Sequence, residues 1–65
     1  MEEEKRNNIL IGIQSLGYTE KLANEIIDTF NQMGGSYCYH KWPEEFSLFS
    51  SKRNIVDILI ENKAI

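Results

Sequence analysis

The chain reads as a mainly α domain with one short β element: three helices, with one strand or a small hairpin between helices 2 and 3. Three observations predict this. Two apolar stripes at helical spacing fill the first half, one through Ile9, Leu10, Ile13 and Leu16, the other through Leu22, Ala23, Ile26, Ile27, Phe30 and Met33. Gly34-Gly35 then interrupts the pattern, and Tyr37 and Tyr39 come two apart, the period of a strand. A last run, with Ile55, Val56, Ile58, Leu59 and Ile60, returns to helical spacing.

The first stripe predicts a helix from about Glu3 to Leu16, with Glu2, Glu3 and Glu4 placing negative charge where the helix N-terminus favours it. Gly12 weakens its interior by about 1 kcal/mol relative to Ala, and marks either a close approach by another helix or nothing in particular. Gly17 stops the helix. Thr19 is a good N-cap, its hydroxyl placed to accept from free N–H groups of the next turn. The second helix runs from about Glu20 to Met33, with Lys21, Asn24, Glu25, Asp28, Asn31 and Gln32 on a solvated face. Gly34 can close it in a left-handed conformation without a Cβ clash. Residues 36–41 are the strand candidate, ended by Trp42-Pro43 because proline cannot donate to a ladder. A lone strand leaves backbone groups unpaired, so it would pair within its own chain or with a second copy. Phe46, Leu48 and Phe49 fit either a second strand, through Phe46 and Leu48, or one helical turn, through Phe46 and Phe49. Ser50 or Ser51 caps a last helix from about Lys52 to Asn62. That helix is apolar around much of its girth, as for an element central to the core or partly buried in an interface.

Sixty-five residues make one small domain, 1–65, with marginal stability. The single cysteine excludes an intrachain disulfide, and one Cys with one His is too few ligands for a structural zinc core. Extra stability then falls to helix packing or self-association, and a homodimer is expected. The net charge of −3 and scattered cations argue against direct nucleic-acid binding, which needs a basic surplus. No apolar run is long enough to cross a bilayer. The acidic start differs from the charged start of a signal peptide. A cytoplasmic location is expected, and a lone thiol fits a reducing compartment.

Candidate chemistry is sparse. On a strand, Cys38 and His40 would share a face, and two such pairs from two chains have the ligand count of a tetrahedral metal site. As a nucleophilic pair they lack a third, orienting group. A buried thiol beside a surface imidazole is the reading adopted. Glu44 and Glu45, like Glu2 to Glu4, read as solvated charge, since paired carboxylates that do acid–base work need a cleft. No catalytic residue, cofactor or metal is expected, and the chain is not expected to be an enzyme. Five of the seven aromatic residues, Tyr37, Tyr39, Trp42, Phe46 and Phe49, crowd into positions 37–49. Phe46 and Phe49 are assigned to the core. Tyr37, Tyr39, Trp42, Glu44 and Glu45 are the candidate interaction residues, because aromatics concentrate at binding hot spots.

The order Leu16-Gly17, Glu25-Ile26, Gly34-Gly35 and Tyr39 resembles the N-terminal dimerisation region of the Mor transcription activator family of phages, over about residues 9–40. The resemblance implies helices that intertwine between two subunits, then a glycine pair leading into a short tyrosine-bearing strand that pairs across the dimer. His40 and Lys41 stand where that family usually has a proline. Its DNA-reading helix-turn-helix would lie beyond Ile65, so the resemblance implies a dimerisation module without its reader. The function expected is a small non-enzymatic regulator of phage or mobile-element origin, acting through protein contacts as a homodimer or with a longer relative. The alternative is an acidic, anti-CRISPR-like phage inhibitor of a host nuclease complex, its carboxylates occupying a basic groove meant for nucleic acid.

Overall fold

Glu3–Ser15 form α1 and Glu20–Met33 form α2, packed against each other. Their boundaries obey local chemistry. The N–H groups of Leu16 and Gly17 donate back to Ile13 and Gln14, and Gly17 turns the chain away at φ 102°. Thr19 Oγ1 then accepts from the Leu22 N–H at 3.1 Å, the N-cap bond expected of it. The computed structural model describes all 65 residues and has two further helices, α3 over Gly35–Lys41 and α4 over Ile55–Glu61. There are four helices and no strand.

The strand or hairpin expected after the glycine pair is therefore corrected: residues 35–41 are helical. Gly34, at φ 85° and ψ 175°, lets one helix stop and another start without a linker. It donates to the Phe30 carbonyl, ending α2, and its own carbonyl accepts from Cys38, starting α3. The Tyr37/Tyr39 alternation spans too few residues to specify a sheet. A single strand would have no edge to pair with, whereas a helix satisfies its backbone internally. Burial agrees with the helix, since Cys38 is fully buried while Tyr37 is 40 % exposed. A strand facing the core through both tyrosines would have turned Cys38 outward. The strand-mediated pairing implied by the Mor resemblance has no counterpart here.

Residues 42–53 contain no helix. The Phe46 N–H donates to the Trp42 carbonyl at 3.0 Å, closing one turn over residues 43–45. Neither reading of 46–49 holds as stated. Phe46 is buried at 1 % exposure and Phe49 stands 96 % exposed, so Phe49 is not a core residue. The last helix starts at Ile55 rather than at Lys52, capped by Asn54 and not by Ser50 or Ser51. Asn54 Oδ1 accepts from the Val56 N–H, and Asp57 accepts from the Asn54 N–H at 2.8 Å, a capping box. Asn54 is also the one buried polar residue, and its Nδ2 donates to the Ser47 carbonyl at 2.6 Å. One side chain thus starts α4 and pins the preceding loop. At the other end of α4, Lys63 takes φ 58°, and Ala64 N–H reaches the Leu59 carbonyl at 2.8 Å. This is a Schellman closure with lysine where glycine is usual.

The core joins all these pieces: Ile9 and Ile13 of α1, Ala23, Ile26 and Ile27 of α2, Cys38 of α3, Phe46, and Ile55, Val56, Ile58 and Leu59 of α4. Gly12 makes the α1–α4 contact possible, since a Cβ there would lie 2.7 Å from Ile58 Cγ2. Of the two readings of Gly12, close helix approach is the one observed. No helix is long and apolar enough to cross a membrane.

Candidate functional site

Helical spacing along α3 decides what the aromatic run can do. Tyr39, Trp42 and Phe46 fall on one side of the chain at steps of three and four. Tyr39 and Phe46 rings lie 5.9 Å apart and tilted, and Trp42 stacks near Phe46 at 6.3 Å. Lys41 Nζ sits 4.8 Å over the Trp42 ring and reaches Glu25 of α2 at 3.2 Å. Trp42 is therefore a half-buried shoulder of the core. Tyr37 points into solvent. Glu44 is exposed and Glu45 half-buried in the turn, close enough to Tyr18 to act on its phenol. Burial first, then Glu45, then Glu44, hold the Tyr18 phenol above its ordinary value of 10.0.

The five candidate interaction residues differ in exposure: Tyr37 and Glu44 are exposed, whereas Tyr39, Trp42 and Glu45 are half-buried. Tyr39 alone lines the apolar groove of the molecule, a hollow of about 420 Å³ open to solvent. Phe30 of α2 and Gly35, Ser36 and Tyr39 of α3 form one wall. Val56 and Ile60 of α4, followed by Ala64 and Ile65, form the other, and Leu48 stands at the loop side. Leu48, Ile60 and Ile65 are each at least half exposed. The Tyr39 hydroxyl is buried without a hydrogen-bond partner, an unusual position for a phenol, which normally finds one. Phe49, next in sequence to Leu48, is the most exposed large apolar side chain in the protein.

Sequence reasoning missed Leu48, Phe49, Ile60 and Ile65 as surface residues. One signal was present: Phe49 is flanked by Ser47, Ser50 and Ser51, with charged or polar residues at most helical neighbours. Such a phenylalanine has no apolar stripe to join except through Phe46.

Other clusters carry less. A shallow polar hollow of about 580 Å³ beside Glu3, Glu4, Arg6, Asn7 and Leu10 is lined by α1 alone and has no facing wall. Cys38 and His40 do not share a face, since Cys38 is buried in the core and His40 is exposed. Burial pushes the Cys38 thiol up, against a smaller opposing pull from Lys41. No three His, Cys, Asp or Glu side chains come together in an arrangement that could hold a metal ion. Comparisons with protein-family models, curated proteins and solved structures return no match.

Proposed function

We propose that this protein is a small non-enzymatic regulator that works by contact with protein chains, through the apolar face made by α3, the 46–50 segment and the end of α4. The observation that carries this is the grouping of Leu48, Ile60 and Ile65, all at least half exposed, around one apolar groove. Single exposed apolar residues are ordinary, but a contiguous set rimmed by polar residues marks a contact surface. The groove is open to solvent, which suits a side chain or peptide segment better than chemistry that must exclude water.

The acidic-inhibitor reading draws less support. Glu44 and Glu45 act on Tyr18, just past the C-terminal end of α1, whereas Glu2, Glu3 and Glu4 sit at its N-terminal end. A helix of this length separates its ends by about 20 Å. The carboxylates are split between two places rather than gathered on one face.

Chemical cross-linking in cell extract tests the proposal, comparing the natural chain with Ile60→Glu. Ile60 is half exposed, and an unchanged Tm is the check that the variant keeps the fold. Protein–protein products given by the natural chain and lost in Ile60→Glu are the expected result. Identical products from both, or turnover of a small substrate by the purified protein, would overturn it.

A further inference from the structure

We infer that α3 is a strap that opens on its own, hinged at Gly34, while α1, α2 and α4 stay folded. Opening uncovers Cys38 and removes the α3 part of the groove wall. The motion goes beyond the contact face proposed above and stands whatever the groove binds.

Three separate observations meet on this helix. The first is how little holds it down. Cys38 is the one fully buried side chain of α3, against two in α1, three in α2 and four in α4. The first backbone bond of α3, from the Cys38 N–H to the Gly34 carbonyl, is 3.4 Å long, outside the usual range of about 2.7–3.2 Å. The Lys41–Glu25 ion pair that ties its far end to α2 is exposed on both sides, and such a pair contributes little and weakens in salt. The second is Gly34, at φ 85°, a backbone conformation that strains any side chain. Nothing lies within 4 Å of where a Cβ would stand, so the junction can turn without pushing on a neighbour. The third is Tyr39. Closure buries its hydroxyl without a hydrogen-bond partner, a cost that the open strap recovers by giving that hydroxyl to water.

Opening gives up the burial of Cys38 and the tilted contact of Tyr39 with Phe46, so the closed form is the major one. Phe46, fully buried, bounds the strap on its C-terminal side. Gly35, Ser36 and Tyr39 leave the groove when α3 lifts, whereas Phe30 and the α4 residues stay. The groove is thus fixed on one side and movable on the other.

Cys38 is the single cysteine of the chain, so thiol labelling of the full chain reads the opening directly. The labelling rate with an aromatic disulfide reagent, divided by that of the urea-unfolded chain, gives the open fraction. This fraction should exceed the globally unfolded fraction, extrapolated from a urea melt, by at least about tenfold and change little at low urea. Gly12→Ala strains the α1–α4 contact, away from α3. It should lower the urea midpoint and leave the labelling rate unchanged. Tyr39→Phe keeps the ring, removes the stranded hydroxyl, and should slow labelling by about tenfold. Labelling no faster than global unfolding permits, labelling that rises in step with the lost stability of Gly12→Ala, or a Tyr39→Phe rate equal to that of the natural chain would each overturn the inference. None of these readings involves the cross-linked products, so the strap and the contact face stand or fall separately.

Discussion

Residues 3–33 and residues 34–65 solve the folding problem differently. The first half is two helices of 13 and 14 residues joined by a four-residue turn, each with its own stripe and stop signal. The second half is two helices of 7 residues each, separated by thirteen residues held mainly by Asn54 and Phe46. Helices that short have too few internal hydrogen bonds to persist alone, so they exist because they pack on α1 and α2. The second half also holds five of the eight exposed large hydrophobics, Tyr37, Leu48, Phe49, Ile60 and Ile65. The first half is shaped by local signals and the second by packing, although the core draws on both, and the residues that hold the second half onto the first are where the division can be tested.

The largest effect is expected at Phe46, the largest fully buried side chain. Phe46→Ala removes the contact shared by Tyr39, Trp42 and the core, at a cost of about 3–5 kcal/mol. For a chain whose whole stability is about 3–10 kcal/mol, this leaves the second half unfolded, visible as loss of cooperative melting in circular dichroism. Asn54→Ala comes next at about 2 kcal/mol, combining a lost cap with a stranded Ser47 carbonyl. Asn54→Asp should recover the cap but not the bond to Ser47, so its chemical-denaturation midpoint should fall between the two. Gly12→Ala is smaller, about 1 kcal/mol net. Its helix-propensity gain is outweighed because the new Cβ meets Cγ2 of a stiff, buried, β-branched Ile58. Gly12→Val should be worse, and melting curves of the pair check the sign.

Hydrogen exchange probes the same contrast without mutation. Amides in the middle of α2 should exchange by global unfolding, and those of α3 through lower-energy local opening. The smallest effect is electrostatic. The Tyr18 phenol is held above its ordinary 10.0 by burial and by Glu45 and Glu44. Its contribution is fully present below the unfolded value and is lost as pH rises through the higher folded value. Stability should therefore fall more steeply above pH 10 in the natural chain than in Tyr18→Phe, as denaturant midpoints at a series of alkaline pH values would show. Equal slopes would overturn the raised value as a whole, burial first and the two glutamates with it.

For the first half of the chain, the order of residues was enough. Apolar spacing, the Thr19 cap and the Gly17 stop are local signals, and α1 and α2 lie within a residue of where they place them. The interruption at Gly34 was equally legible, but the conformation of residues 35–41 was not. Strand and helix differ there by where the backbone groups find partners, and a four-residue alternation carries no information about an absent sheet edge. The role of Asn54 was hidden as well, because its amide serves a carbonyl seven residues earlier that only the folded loop brings near. So was the surface. Phe46 and Phe49 are the same residue type three apart, yet Phe46, its N–H bonded to the Trp42 carbonyl and its ring beside Tyr39 and Trp42, fills the core while Phe49 faces water. Composition cannot express that choice; it is made by which of the two rings the folded turn after α3 brings against the helices.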